Sequence, residues 1–185
     1  IYIEPIFITR IEDKNGVPIF EVIPKTNDVL SEEAAYVTLN LMEGVTNYGS
    51  GGRLRHSGLE KTSYIYKNLI TGYPYAFKNS IAGKTGTTQN QSDGWFMGMV
   101  PNLVTGVWVG GEDRSVHFED IAFGQGATMA LPIWAQYMKG AYSNPDLGIS
   151  SDDFPAPRVL TIPLDCENIN IESSVKKKDL EELGF

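Results

Sequence analysis

Residues Ile81–Gly111 read IAGKTGTTQNQSDGWFMGMVPNLVTGVWVGG, and this stretch decides the fold. Two of its segments, Trp95–Val100 and Leu103–Val109, are rich in aromatic and β-branched residues, which favour strands. Pro101-Asn102 separates the two segments, so together they predict a β-hairpin. The polar run after Ile81-Ala82 predicts one further strand, and a three-stranded antiparallel meander is then the simplest topology.

That polar run, Lys84-Thr85-Gly86-Thr87-Thr88, carries the chemistry of the stretch. A glycine inside a strand removes a side chain and often marks a place where a ligand lies against the backbone. Hydroxyl groups and a lysine ammonium flank this glycine, and both can donate hydrogen bonds to an anionic or acyl group. The run therefore predicts a binding site for such a group.

The amino-acid composition limits which kinds of protein this chain can be and which partners it can bind. The chain has 185 residues, of which 42% are hydrophobic, enough for one domain with a core. A net charge of −8 argues against nucleic acid or an anionic membrane surface as the main partner. The single Cys166 excludes an internal disulfide, and with only His56 and His117 as histidines we expect neither a metal site nor a cofactor. Because the chain starts at Ile1 rather than Met, we expect an excised piece of a longer protein.

The residues before the meander predict a hairpin and a helix. Pro5–Ile11 and Val17–Ile23 are apolar segments on either side of a turn that contains Asn15-Gly16, a strong hairpin signal. Ser31 is a typical helix N-cap, and apolar residues recur at helical spacing from there to about Tyr48. Glycines follow and predict the end of the helix.

A local basic cluster, Arg53, Arg55, His56 and Lys61, interrupts the acidic chain. We interpret it as a solvated connection; an anion-facing loop beside the site is the alternative. A short helix over about Leu59–Leu69 is expected to follow.

The C-terminal part predicts one more helix, Met129–Tyr142, with Thr128 as its cap and Pro132 in its first turn. Its apolar side is expected to belong to the core and comprises Met129, Ile133, Trp134, Tyr137 and Met138. From Asn144 onward we expect an extended tail, with a short helix over Lys176–Leu183.

Several motifs occur together in one order: Lys84–Thr88, Asp93–Gly98, Pro101, Gly106–Gly110 and Ala130–Trp134. K-T-G alone is a weak signal, whereas K-T-G-T-T followed by D-x-W-F-x-G and V-W-V-G is specific. In this combination the sequence resembles the transpeptidase domain of class A penicillin-binding proteins from its third motif onward. The resemblance covers roughly Pro5–Tyr142.

The resemblance implies an α+β fold, with an antiparallel β-sheet flanked by helices on both faces, as a partial β-lactamase/transpeptidase-like fold. Residues 1–143 would be the C-terminal, K-T-G-bearing portion of the transpeptidase domain, and residues 144–185 an extended C-terminal tail. The implied activity is serine acyl transfer that cross-links peptidoglycan stem peptides, with β-lactams trapping the same serine. The implied location is the extracytoplasmic, periplasmic or cell-surface side of the bacterial inner membrane, anchored through sequence outside this chain.

The resemblance also assigns roles to residues. Lys84 would lie in the cleft and support its hydrogen-bond network, and the hydroxyls of Thr85 and Thr87 would bind the substrate carboxylate. The backbone N–H of Thr87 would be one oxyanion-hole donor, and Gly86 would let the acyl group lie close to the strand. Catalytic roles are thus expected for Lys84 and Thr87, and substrate-binding roles for Thr85, Gly86 and Thr87.

Two motifs of the family's set, S-x-x-K and S-D-N, are not convincingly present. S-x-x-K occurs only at Ser173–Lys176 and Ser174–Lys177, after K-T-G and in a hydrophilic tail. Tyr66-Lys67-Asn68 fits a Y-x-N variant but lies too near Lys84, so we interpret it as coincidence. We therefore expect the parent to be a transpeptidase and this piece alone to be inactive.

Two other functions stay open on the sequence. One is a DD-carboxypeptidase or serine β-lactamase of the same superfamily, which the tryptophan motifs disfavour. The other is a non-catalytic module that binds peptidoglycan or protein, which the missing serine motif supports. If part of the domain lies outside this chain, one face of the meander lacks its cover, and we expect the fragment to self-associate through that face.

Overall fold

The computed structural model describes residues 1–56 and 73–164. Within these ranges the strands and α-helices follow one another in this order: β1 (Tyr2–Ile3), β2 (Arg10–Glu12), β3 (Pro18–Glu21), β4 (Thr26–Asn27), α1 (Glu32–Asn47), β5 (Ala82–Thr87), β6 (Asp93–Val100), β7 (Leu103–Gly110), α2 (Ile121–Gly124) and α3 (Gly126–Ser143). The helix expected over Leu59–Leu69, the Tyr66–Asn68 triplet and all features after Leu164 lie outside the described residues.

The central sheet is the predicted meander. Its strands pair antiparallel in the order β5-β6-β7, with Lys84 opposite Met97 and Trp95 opposite Trp108. Both strands of the hairpin match the prediction to within two residues at each end. β5 is an edge strand, because among the described strands only β6 pairs with it. The prediction of a three-stranded antiparallel meander is confirmed.

α3 covers one face of this sheet. Trp134 of α3 is fully buried against Phe96 of β6, with ring centroids 5.2 Å apart. A Cβ atom on Gly98 would overlap the Trp134 indole, so the absence of a side chain there lets the ring lie on the strand. The indole Nε1 donates a hydrogen bond to Thr105 Oγ1 of β7 at 2.6 Å. One tryptophan therefore ties the helix to two strands.

The expected start of α3 is wrong by three residues. The helix begins at Gly126 with Gln125 as N-cap, so Pro132 lies inside the helix rather than in its first turn. Thr128 is not the cap, and its hydroxyl accepts a hydrogen bond from Arg53. The physical reason is tertiary: the N–H of Gly126, left unpaired at a helix start, donates to Thr87 Oγ1 at 3.0 Å.

The apolar stripe of α3 is only partly core. Trp134 and Met138 are fully buried, as expected, but Ile133 and Tyr137 are each 51% exposed. The helix is therefore apolar on two sides, and the sheet covers one of them.

α1 lies beside β5. Its predicted cap is confirmed, since Ser31 Oγ accepts a hydrogen bond from the Ala34 N–H at 3.1 Å. At its other end the buried Thr46 hydroxyl donates to the Ile81 carbonyl at 2.5 Å, immediately before β5. The turn that follows α1 is therefore held against the start of the K-T-G strand.

The N-terminal hairpin, β2 and β3, is present, with shorter strands than predicted. It pairs in a separate two-stranded sheet, and its turn has Gly16 at φ +79°. The Asp13 carboxylate accepts hydrogen bonds from the Asn15 and Val17 N–H groups, and these bonds lower the pKa of Asp13.

Four exposed apolar side chains lie on the sheet face opposite α3, and we call them the outer face: Trp95, Met97, Val104 and Trp108. All four are exposed, with fractions between 38% for Met97 and 62% for Val104. Helices on both faces of the sheet were expected, yet within the described ranges α3 is on one face and the outer face remains open to solvent.

After α3, the described residues run back over the body of the protein. Asn102 donates to the Gly148 carbonyl and accepts from the Ser150 N–H, and Phe154 is buried. Farther on, Glu33 of α1 accepts hydrogen bonds from Thr161 and from the Ile162 N–H. None of the helices described here is both long and apolar enough to cross a bilayer.

Candidate functional site

The K-T-G strand, β5, presents its backbone to an open edge. The Thr88 N–H donates to the Asp93 carbonyl, toward β6. Peptide groups alternate in direction along an antiparallel strand, so the N–H groups of Thr87 and Thr85 point away from β6. These are the peptide groups that a ligand lying along the open edge of β5 would meet.

Lys84 lies at the same edge. Its side chain is exposed, and its ammonium donates to the backbone carbonyl of Thr85 at 2.7 Å. The Thr85 carbonyl points to the same side of the strand as the Thr85 N–H, away from β6. The bond therefore places a positive charge at the open edge. A charge in this position attracts an anionic ligand.

The two threonine hydroxyls have different partners. Thr85 Oγ1 lies 2.6 Å from Ser50 Oγ in the turn after α1, and either atom can be the donor. Thr87 Oγ1 accepts from the Gly126 N–H at the start of α3. An accepting hydroxyl keeps its own hydrogen for a second bond, and the Thr87 side chain is exposed.

Gly86 lies between these threonines. A Cβ atom added to it would lie 3.2 Å from the Trp95 Cβ, closer than ordinary van der Waals contact. The missing side chain leaves the strand surface flat at this point, so a ligand can approach the backbone closely.

A polar groove of about 370 Å³ lies next to this edge. Among the residues that line it are Ser50, Arg53 and His56, all from the segment after α1. Its described lining contains no carboxylate, although the whole chain carries a net charge of −8. None of Lys84–Thr88 lines this groove, and Ser50 connects it to β5 through the Thr85 hydroxyl. A larger cavity of about 760 Å³ lies at the N-terminus of α1, and no such contact among the described residues connects its lining to β5.

The interpretation of the basic cluster as a solvated connection is wrong for its two arginines. Arg53 donates to the Ala127 carbonyl and the Thr128 hydroxyl, each at 2.7 Å, so it holds the first turn of α3. Arg55 donates to the Asn79 carbonyl at 2.5 Å, and burial lowers the pKa of its guanidinium. Both arginines of the cluster are therefore structural clamps, and the segment that bears them lines the groove. Lys61 lies outside the described residues.

The structure thus places Lys84, Thr85, Gly86 and Thr87 on β5, the edge strand of the central sheet. It adds Ser50, which the sequence analysis passed over. The available signal was its place in Gly49-Ser50-Gly51-Gly52, where it supplies the single side chain of a tight turn.

Comparison with known proteins identifies relatives of the chain, although no protein-family model matches it. Penicillin-binding protein 1A of Aquifex aeolicus (strain VF5) is 33% identical over 136 residues, covering 74% of this chain and 16% of that protein. Penicillin-binding protein 2D of Bacillus subtilis (strain 168) is 32% identical and covers 75% of this chain and 18% of that protein. Penicillin-binding protein 1B of Buchnera aphidicola subsp. Baizongia pistaciae (strain Bp) is 30% identical over 169 residues, covering 91% of this chain and 18% of that protein.

A solved structure agrees. The crystal structure of penicillin-binding protein 1A from Haemophilus influenzae matches with a TM-score of 0.52 and 26% sequence identity, over 87% of this chain and 25% of that one. The chain therefore spans about a sixth of the length of these curated relatives and a quarter of the solved chain. Its fold, an antiparallel sheet with α3 on one face, corresponds to part of their β-lactamase-like transpeptidase domain. The chain is a partial segment of a class A penicillin-binding protein, homologous to the transpeptidase region of that family.

Proposed function

We propose that this segment forms the K-T-G side of the active site of a peptidoglycan DD-transpeptidase. The observation that carries the proposal is the open edge of β5, where the Lys84 ammonium lies on the Thr85 carbonyl and the Thr87 N–H points away from β6. A transpeptidase must hold an anionic peptide terminus and stabilise an oxyanion, and this edge offers a cation, hydroxyls and backbone donors for both tasks.

Each residue has a role in this proposal. The Thr87 N–H donates to the oxyanion of the tetrahedral intermediate, a contribution typically worth about 3 kcal/mol. The hydroxyls of Thr85 and Thr87 donate to the terminal carboxylate of the donor peptide or of a β-lactam. Lys84 supplies positive charge, and Gly86 lets the acyl chain lie flat on the strand.

The family supplies the wider setting. Penicillin-binding proteins in general interact with peptidoglycan and β-lactams, and class A members are in general membrane-anchored with an extracellular catalytic domain. We extend both properties to the full-length gene product and place its activity outside the inner membrane. In this proposal the attacking serine and its general base are contributed by other sequence, because S-x-x-K does not precede K-T-G in residues 1–185.

The proposal is tested with a fluorescent penicillin. We expect the full-length gene product to be acylated once per chain and the isolated segment of residues 1–185 to remain unlabelled in an intact mass spectrum. Loss of a nucleophile costs orders of magnitude in rate even where the oxyanion hole persists. In the full-length product, Lys84→Ala should slow acylation about 100-fold, in the range of losing one group that stabilises the transition state.

Lys78→Ala is the matched control for Lys84→Ala, because Lys78 is an exposed lysine outside β5. It should leave the acylation rate unchanged. Covalent labelling of the isolated segment would show that it carries its own nucleophile. An unlabelled full-length product that still binds peptidoglycan, without competition from β-lactams, would favour the non-catalytic module.

A second consequence concerns the outer face defined above. Apolar patches of this kind are usually contact surfaces, so we expect two copies of the isolated segment to associate through it. Light scattering should report a dimer or larger species, and Val104→Lys on the outer face should return it to the monomer. Leu41→Lys, at a 70% exposed position on α1, is the control that should change nothing. A monomeric wild-type segment that binds no apolar dye contradicts this expectation.

A further inference from the structure

The Ser50 and Thr85 hydroxyls lie 2.6 Å apart, although 35 residues separate them in sequence. Both residues sit at the open edge of β5, and Ser50 is exposed while Thr85 is half-buried. A hydroxyl pair at this distance shares one hydrogen atom, because one oxygen donates and the other accepts. The second hydroxyl hydrogen remains available to a ligand.

The turn that bears Ser50 is firmly placed. The Gly51 N–H donates to the Val45 carbonyl at 2.9 Å, and the Gly52 N–H donates to the Gly49 carbonyl at 3.0 Å. One turn earlier, the Thr46 hydroxyl ties α1 to Ile81 at the start of the K-T-G strand. The two hydroxyls therefore belong to segments that are locked to each other, so the contact does not depend on flexible side chains meeting by chance.

Ser50 is the only residue of Gly49–Gly52 with a side chain. Its neighbours have little room for one: a Cβ on Gly49 would lie 3.0 Å from the Val45 Cα, and a Cβ on Gly51 would lie 3.2 Å from the Val45 carbonyl oxygen. The turn thus brings its backbone close to α1 and presents one hydroxyl to Thr85.

The surroundings of the pair favour an anion. Lys84 Nζ lies on the Thr85 carbonyl, and Arg53 and His56 line the same groove as Ser50. With Ser50 as donor to Thr85 Oγ1, the hydrogen of Thr85 points away from Ser50 and is available to a ligand. A carboxylate at that edge then receives a hydroxyl donor that is already oriented.

We propose that Ser50 is a positioning residue for carboxylate recognition, which orients the Thr85 hydroxyl toward the terminal carboxylate of the peptide or β-lactam. This inference rests on the proposed function of the K-T-G strand. It assigns to the turn after α1 a part in selecting anionic ligands, and it predicts that Ser50 acts through Thr85 without touching the reacting atoms.

The test compares two probes in the full-length gene product: benzylpenicillin, and its methyl ester, which has the same β-lactam ring but no carboxylate. The quantity measured is the second-order acylation rate constant of benzylpenicillin divided by that of the methyl ester. Ser50→Ala should lower this ratio about 10-fold, as expected for weakening one hydrogen bond to a charged group. Ser50→Thr retains a hydroxyl and should restore the ratio to within about twofold of wild type.

A general structural role for Ser50 predicts a different result. Damage to the fold slows both probes alike, so an unchanged ratio in Ser50→Ala overturns the proposal, whether or not the rates fall. Ser50→Cys is a second variant of similar shape without a hydroxyl, and it should give the same ratio as Ser50→Ala at an unchanged unfolding temperature. A wild-type product that benzylpenicillin does not acylate at all refutes the proposed function itself, which is a separate observation.

Discussion

Trp134→Ala should destabilise the protein by about 3–5 kcal/mol, the cost of removing a fully buried tryptophan and leaving a cavity. Trp134 is fully buried and packs edge-on against Phe96 and Phe77, at centroid distances of 5.2 and 6.2 Å. Its removal also deprives Thr105 of the indole hydrogen bond. Urea unfolding followed by circular dichroism measures the loss, because this probe does not depend on tryptophan fluorescence.

Trp108→Ala is the matched control, since Trp108 belongs to the same sheet but lies on the outer face and is 47% exposed. It stands opposite Trp95, and a cross-strand pair of this kind contributes up to about 1 kcal/mol. Both tryptophan variants are compared in the monomeric Val104→Lys background, where self-association does not bury the outer face, and there we expect Trp108→Ala to cost no more than that. Equal losses for the two tryptophan variants would mean that the outer face is packed in solution and that α3 is not the main cover of the sheet.

The meander was predictable from the sequence because its signals are local. Aromatic and β-branched residues fill β6 and β7, and a Pro-Asn pair separates them, so strand type and pairing follow from neighbours within a few positions. The cap of α1 was predictable for the same reason, since Ser31 and its partner Ala34 are three residues apart.

The start of α3 was not predictable, because its deciding contact joins residues 39 positions apart. Thr128 has the chemistry of a cap, but the helix starts at Gly126, two residues before Thr128. There the hydroxyl oxygen of Thr87 in β5 accepts the hydrogen bond of the Gly126 N–H. Likewise, exposed Ile133 and Tyr137 match the helical stripe, yet the sheet covers only the side of α3 that carries Trp134 and Met138. A periodic pattern identifies apolar positions but not which of them have something to pack against.

The residues of the candidate site also fall into two groups, those that local sequence predicts and those that tertiary contacts decide. The composition of the K-T-G strand and the motifs that follow it at fixed spacing predict it from the sequence. Ser50 belongs to the site through a tertiary contact across 35 residues, and its place among glycines indicates a tight turn but not the partner of its side chain. Arg53 and Arg55 are also set by tertiary contacts, which turn a basic cluster typical of a surface loop into clamps on the first turn of α3 and on Asn79.

Gly126→Ala should destabilise the protein by about 3 kcal/mol, at the upper end of the usual cost of overpacking. A Cβ atom there would lie 2.5 Å from the Trp95 carbonyl oxygen and even closer to that of Gly86. Both obstacles are backbone atoms of the central sheet, which cannot rotate away as a side chain would. The helix start must therefore move off the strand, and the hydrogen bond from the Gly126 N–H to Thr87 must lengthen or break.

The same substitution in the same helix provides the control. Gly140 of α3 is exposed, and a Cβ atom there meets nothing within 4 Å. Gly140→Ala should therefore stabilise the protein by up to about 1 kcal/mol, because alanine loses less backbone entropy than glycine in a helix. Thermal unfolding of the two variants beside the wild type gives the comparison. We expect changes in stability of opposite sign for the two variants. A Gly126→Ala variant as stable as the wild type would mean that α3 does not start against β5 and that Thr87 does not contact the helix start.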